Sequence, residues 1–367
     1  MEERNVIMGR IWNFTAGPAH LPESVIEICQ AALMDVGIGV GIAEISHRSS
    51  YFDALMYDLE SQFRRIGNVP DSHDILFLQG GATLQFCTIP ETFSRRGGHI
   101  DCIHTGYWTR NAMRDAAYYT TIHYAYDGAQ NGFQHIPEDA EIAYSHEPDY
   151  VYYCANNSFL GTEFKKAPRS PYPLVADMSS NIFSRPIDVG AHKVIFASAQ
   201  KNLGIAGCCV VILDRDFLAS RQPDVRPSML DYRRLVQNRS MLNTPPTFAL
   251  FVMKQMLDWI EARGGLAGMA ERNAEKAGMI RRAIDASGGF YRHVGDVESR
   301  SMMNISFYSP SPELDALFVE EAEQNGMIGL RGHRETGGLR ASIFNAFPRE
   351  GCGVLADFIV DFAKRHG

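Results

Sequence analysis

The chain has 367 residues, 45% of them hydrophobic and 21% charged, a globular balance that excludes a disordered chain and allows one large and one smaller domain, each with its own core. A formal net charge of -8 offers no overall attraction to nucleic acid or an anionic membrane, so neither is an expected partner, and an anionic substrate must be caught by local cations. The 7 cysteines are odd in number and scattered, which argues against a disulfide framework and for a reducing, cytoplasmic setting.

The opening MEERNVIMGRIWNF is too charged for the core of a signal peptide, and no apolar run approaches the roughly 18 residues needed to span a bilayer. Pro22, then apolar residues at Val25, Ile28, Cys29, Ala32, Leu33 and Val36, then Gly37 spell an amphipathic helix marked at both ends. Phe52, Leu55, Met56, Leu59, Phe63 and Ile66 repeat the pattern up to Gly67. Beyond Pro70 the character changes. Short β-rich runs (Asp74 to Leu78, His99 to His104, Tyr150 to Cys154, Leu174 to Asp177, Val194 to Ala197 and Cys208 to Leu213) alternate with helical or loop stretches. Their near-continuous apolar content suits strands buried on both faces of a mostly parallel sheet, that is, an α/β domain.

After about residue 245 come helices over Phe248 to Ile260 and Leu266 to Ala286, strands over Met303 to Tyr308 and Leu339 to Phe344, and a terminal helix over Val354 to Lys364. This reads as a smaller α+β domain. The boundary is placed at the Gly264 and Gly265 pair, giving a large domain over 1–264, N-terminal segment included, and a small one over 265–367.

In an open parallel sheet, ligands collect where strands end, so polar residues directly after buried runs are the candidates. ILFLQGGATLQF carries a strand into Gly80 and Gly81 and opens a helix at Ala82 and Thr83, an anion site of backbone N–H groups and a hydroxyl, or else an ordinary Gly-Gly turn. PLVADMSS delivers Asp177 at a strand end, where an acid also serves as a helix cap or turn residue. VIFASAQKNLGIAGCCVVIL sets Lys201 in a small-residue turn between two buried strands, positioned for partial desolvation where most lysines are solvated surface groups. No CxxC, HExxH, Walker loop or GxGxxG is present, so metal, nucleotide and dinucleotide sites are not expected.

Taken together, NFTAGPAHLP, EISHRSSYF, GGATLQF, TGYWTR, VADMSSNIFSRPID, ASAQKNLGIAG, NTPPTF and GHRETGGLRASIFNA resemble the phosphoserine aminotransferase family, in the class V group of fold-type-I pyridoxal-phosphate enzymes. The likeness spans nearly the whole chain. It implies pyridoxal 5'-phosphate as cofactor, with Lys201 as the Schiff-base lysine and Asp177 as the partner of the pyridine nitrogen. A displaceable amine and a carboxylate that favours the protonated ring are what the chemistry requires. Trp108 then matches the ring-stacking residue, Ser158 a hydroxyl near the cofactor, and Ala82, Thr83 and Gln200 the phosphate anchors. The family completes that anchor with an Asn-Thr pair from a second subunit, here Asn243 and Thr244, which implies a homodimer with shared sites. His47 and Arg48, His333 and Arg334, and Arg340 match positions that hold the substrate's phosphate or distal carboxylate and its α-carboxylate, the last falling to Arg340 because a guanidinium grips a carboxylate with two parallel bonds.

The implied reaction carries the amino group of L-glutamate to 3-phosphohydroxypyruvate in serine biosynthesis, with the 4-phosphohydroxy-L-threonine step of vitamin B6 synthesis as a further use in the family. Two departures stand out. Thr83 replaces an arginine of many relatives, and Ser158 a threonine. Alanine–glyoxylate aminotransferases and cysteine desulfurases share the fold, but neither needs two His-Arg pairs. A non-catalytic anion binder built on the GGAT turn would leave Asp177 and Lys201 without a use.

Overall fold

The computed structural model describes residues 10–221 and 227–367. Its central feature is a sheet of seven strands: β1 (His73–Gln79), β2 (His99–His104), β3 (Thr121–Asp127), β4 (Val151–Cys154), β5 (Leu174–Asp177), β6 (Val194–Ser198) and β7 (Cys208–Asp214). They are ordered β1-β7-β6-β5-β4-β2-β3. All neighbouring pairs are parallel except those of β7, which runs antiparallel to both β1 and β6. The mostly parallel sheet read from the sequence is therefore present. Burial on both faces explains the unbroken apolar runs: every residue of β4, β5, β6 and β7 is buried. β3 escaped notice because it is an edge strand with only Ala125 buried.

Two apolar cores sandwich the sheet. One gathers the helices Ser50–Gly67 and Thr247–Glu261 against Phe77, Tyr153 and Ile195; the other gathers the helix Ala82–Phe93 against Cys102, Tyr152 and Phe196. The helix Ser50–Gly67 shows how the sequence sets this up. The Ser49 side chain accepts from the Phe52 N–H at its start, Asn68 takes the left-handed conformation at its end, and Phe52, Leu55, Met56, Leu59 and Phe63 form the buried stripe.

A third core belongs to the C-terminal part, where the strands Arg292–His293, Asn304–Tyr308 and Leu339–Ser342 form a small antiparallel sheet. The helices Gly265–Asp285, Pro312–Gln324 and Arg349–His366 pack on it. Phe14 is in this core, and Trp12–Asn13 pairs in parallel with Met327–Ile328, so the first described segment runs along the C-terminal part. The terminal helix starts at Arg349, earlier than its apolar pattern suggests, because Pro348 marks its start while Gly351 and Gly353 blur the first turn. The strand expected over Leu339 to Phe344 stops at Ser342; beyond it the carbonyls of Ile343 and Phe344 turn to the amine of Lys276. No helix among the described residues is long and apolar enough to cross a membrane.

Candidate active site

The C-terminal ends of the central strands converge on a cavity of about 120 Å³, lined among others by Ala82, Thr83, Trp108, Asp177, Gln200 and Lys201. Asp177 is the last residue of β5, and its Oδ1 accepts the Ser179 N–H at 2.8 Å. Lys201 follows β6 in a turn, with Nζ 5.8 Å from the centre of the Trp108 ring. Trp108 is placed by the turn after β2. There Gly106 has φ +151, and any side chain at that position would run into Asn157, so only glycine lets this turn close.

Electrostatically the site is a buried acid and amine in one enclosure. Burial pushes the Asp177 carboxyl above its ordinary pKa, opposed by bonds from Ser179 and by the charge of Lys201. Burial pulls the Lys201 amine below the usual lysine range, opposed by Asp177. An amine displaced in this direction has more of its neutral, nucleophilic form near neutral pH.

Two serines missed in the sequence hold the rim. Ser198 Oγ accepts the Ala82 N–H at 2.7 Å, and Ser179 Oγ accepts the Ser198 N–H at 3.1 Å. Both follow buried runs, the same signal that marked Asp177, so strand-end position could have found them. Asn156 and Ser180 complete the wall, joined by a 2.7 Å bond from Asn156 Nδ2.

Ser158 lies beside the cavity, where its Oγ accepts from Trp108 Nε1 at 3.2 Å. Arg340, buried in the strand Leu339–Ser342, donates from Nη1 to the Ser158 carbonyl at 3.1 Å and lies over the Phe159 ring at 5.7 Å. Its Nε is buried with no protein partner among the described residues, a vacant charged donor that suits a carboxylate. His333 packs edge-on against Phe159 at 3.9 Å between ring centres, while Arg334 next to it is exposed.

The remaining sequence candidates do not join this cavity within one chain. His47 and Arg48 precede the helix Ser50–Gly67 and line neither it nor the neighbouring cavity of about 290 Å³ that holds His333. Asn243 and Thr244 are exposed and tied to Gln79: Asn243 Nδ2 donates to Gln79 Oε1 at 3.3 Å, and Gln79 Nε2 donates to the Thr244 carbonyl. A larger cavity of about 650 Å³ is lined by Lys165, Arg169, Arg185 and His192. Its best-placed cations are already engaged, Arg185 with Glu163 and Lys165 with the Arg300 carbonyl, so chemistry rather than size singles out the smaller one.

The residues present fit pyridoxal phosphate: an amine for its aldehyde, an acid for its ring nitrogen, an indole for its ring face, and a glycine turn opening a helix for its phosphate. Residues 11–352 match the family model for class-V aminotransferases, and the chain belongs to that family. A phosphoserine aminotransferase from Geobacillus kaustophilus is 43% identical over 98% of this chain and 99% of its own. The structure of the phosphoserine aminotransferase from Bacillus circulans subsp. alkalophilus superposes with a TM-score of 0.95 at 41% identity, covering 98% of this chain and 99% of that one. The pyridoxal-phosphate-bound phosphoserine aminotransferase from Trichomonas vaginalis gives a TM-score of 0.91 at 35% identity, covering 95% and 99%. Within the class-V family the chain is thus one of the phosphoserine aminotransferases.

Proposed function

We propose that this protein uses pyridoxal 5'-phosphate to transfer the amino group of L-glutamate to 3-phosphohydroxypyruvate, giving 2-oxoglutarate and O-phospho-L-serine. The observation that carries the reading is the convergence of Lys201, Asp177 and Trp108 on one cavity at the strand ends. When bound, the cofactor supplies a cationic ring that takes up the electrons released as the substrate loses its α-proton.

The chain's own residues do the rest. Lys201 would hold the cofactor through its aldehyde and would serve as the base that moves the proton at the substrate α-carbon. Asp177 would favour the protonated ring nitrogen, and Trp108 would hold the ring from one side. Ala82, Thr83 and Gln200 hold the cofactor phosphate, with Ser198 fixing the Ala82 N–H. Ser158 braces Trp108. Arg340 takes the α-carboxylate, and its unpaired Nε supports that role. His333 and Arg334, with His47 and Arg48, take the phosphate or the distal carboxylate.

The working unit in this reading is a homodimer in the cytoplasm, in which a second copy brings its Asn243 and Thr244 to the phosphate anchor. Exposed apolar groups support association: Met34 is 82% and Ile38 56% exposed, at the end of one helix and the turn after it. Residues 10–264 serve as the cofactor-holding body and 265–367 as the smaller body that brings Arg340.

The test is colour. The purified protein should be yellow, should lose that colour on borohydride reduction, and should then carry the reduced cofactor on the peptide containing Lys201. A colourless protein, or a label on another lysine, overturns the assignment. Lys201→Ala should fold but lose turnover by orders of magnitude.

A further inference from the structure

A second lysine is buried deeper than Lys201. Lys276, on the helix Gly265–Asp285, is 1% exposed. Its Nζ lies 3.0 Å from the carbonyl oxygen of Ile343, 2.7 Å from that of Phe344, and 3.3 Å from those of Asn345 and Phe347. No carboxylate among the described residues pairs with it; the four carbonyls are its hydrogen-bond partners, and burial pulls its pKa down to about 7. Burying a cation in this way costs more than burying an apolar side chain of the same length, so stability alone does not account for it.

The segment that Lys276 gathers joins two parts of the active site. Immediately before it stands the strand Leu339–Ser342, which carries Arg340. Within it, the Asn345 N–H donates to Oδ1 of Asn202 at 2.9 Å, and Asn202 adjoins Lys201. Asn345 Nδ2 donates to the Phe183 carbonyl at 2.8 Å, and its Oδ1 accepts from Asn273 at 2.8 Å, three residues before Lys276 on the same helix. Asn202, itself in the large body, is anchored there by donating to the Ile182 carbonyl at 2.9 Å. Asn202, Asn273 and Asn345 are all at most 1% exposed, so this network lies out of water, where its geometry is most strongly enforced.

We propose that Lys276 is a positioning residue for the transfer reaction: by gathering the carbonyls of Ile343, Phe344, Asn345 and Phe347 and acting through the Asn345–Asn202 bond, it fixes the separation between the Lys201 amine and the Arg340 guanidinium. Every substrate of such an enzyme presents an α-carboxylate to one of these groups and its α-carbon to the other. A change in their separation therefore penalises amino donor and amino acceptor equally. The proposal rests on the assignment of Lys201 and Arg340 above.

The experiment compares holoenzymes of Lys276→Met and Asn202→Ala with the parent, well below their melting temperatures. Misplacement of about 1 Å can cost on the order of 100-fold, so kcat/KM should fall about 10- to 100-fold, by the same factor for L-glutamate and for the keto acid. The pH midpoint of the bound cofactor's colour change should move as well, since the turn holding Lys201 is released. Variants that melt lower but keep the parent's kinetic constants and colour midpoint would reduce Lys276 to a packing role and overturn the proposal. If Lys276→Met does not fold, Asn202→Ala decides alone, because it cuts the tie while leaving the Lys276 cage intact. A colourless parent, or an Arg340→Met variant with normal KM values, would instead sink the underlying site assignment.

Discussion

Trp108 Nε1 donates to Ser158 Oγ at 3.2 Å, and the main-chain carbonyl of the same serine accepts from Arg340 Nη1 at 3.1 Å. One residue thus braces both the indole over the cofactor site and the guanidinium beside it, through different atoms. Ser158→Ala removes only the hydroxyl bond, worth about 0.5 to 1.5 kcal/mol. Cofactor retention should weaken roughly 2- to 10-fold, with KM for both substrates nearly unchanged because the carbonyl bond to Arg340 remains. Ser158→Thr restores the hydroxyl and should stay close to the parent. Titration of the apoenzymes with cofactor, followed by absorbance, distinguishes the two; equal affinities for Ala and Thr would mean that the indole does not depend on this bond.

The exposed pair Asn243 and Thr244 is held on Gln79, at the end of β1, yet does not line its own chain's cofactor cavity. Replacing both by alanine should loosen cofactor binding without moving the melting temperature by more than a degree or two, since each side chain is solvated. Sedimentation of the parent should show a dimer at assay concentration. A fully active monomer would remove the shared-site reading.

His20 gives an acid-side prediction. It is buried, its Nδ1 has no partner among the described residues, and burial first, then Arg10 and Lys276, hold its pKa down to about 4. The unfolded imidazole titrates at about 6.5. Between these values the unfolded chain binds a proton that the folded one does not, so stability rises with pH across that window. The contribution is fully present above 6.5 and is lost as pH falls to about 4. Urea midpoints at pH 7 and pH 5 should therefore differ less for His20→Leu than for the parent. Equal drops would assign the acid sensitivity to other groups.

The sequence made Asp177 and Lys201 legible because one closes a buried strand and the other stands in the short turn between two, and strand ends are visible as apolar runs closed by small or polar residues, whereas Trp108 was named only through the family resemblance. Lys276 was not legible. On the helix Gly265–Asp285 it stands in the run ERNAEKAG, where a lysine reads as part of a solvated face, and only the fold shows that Ile343, Phe344, Asn345 and Phe347 turn their carbonyls onto it. Asn345 and Asn202 lie 143 residues apart, and no local periodicity couples them. The edge strand β3 was hidden for the opposite reason, since exposure freed it from the apolar pattern that betrays its neighbours. His47 and Arg48, read as substrate cations from their resemblance, line neither of the two cavities around the site within one chain.

Arg334 and Arg340 stand six positions apart in sequence but in different surroundings, one exposed in the turn after Gly332 and one 9% exposed in a strand. A phosphate near neutral pH carries close to two negative charges and three acceptor oxygens, so it needs more cationic donors than a short apolar side chain does. The net charge of -8 opposes such a substrate, and the local donors must overcome it. Each charge-assisted bond is worth roughly 1.5 to 3 kcal/mol, or about 10- to 100-fold in catalytic efficiency. Arg334→Met keeps the stem and removes the fork, so efficiency with 3-phosphohydroxypyruvate should fall by that factor, while the low efficiency with pyruvate stays nearly unchanged. Arg340→Met should harm every substrate alike, because in the proposed reading all would present the α-carboxylate to it, and the loss should be at least as large since its Nε is buried without another partner among the described residues. Steady-state kinetics with the two keto acids decide the matter. If Arg334→Met lowered both reactions by the same factor, Arg334 would not be reading the phosphate, and recognition of that group would have to come from His333, His47 and Arg48.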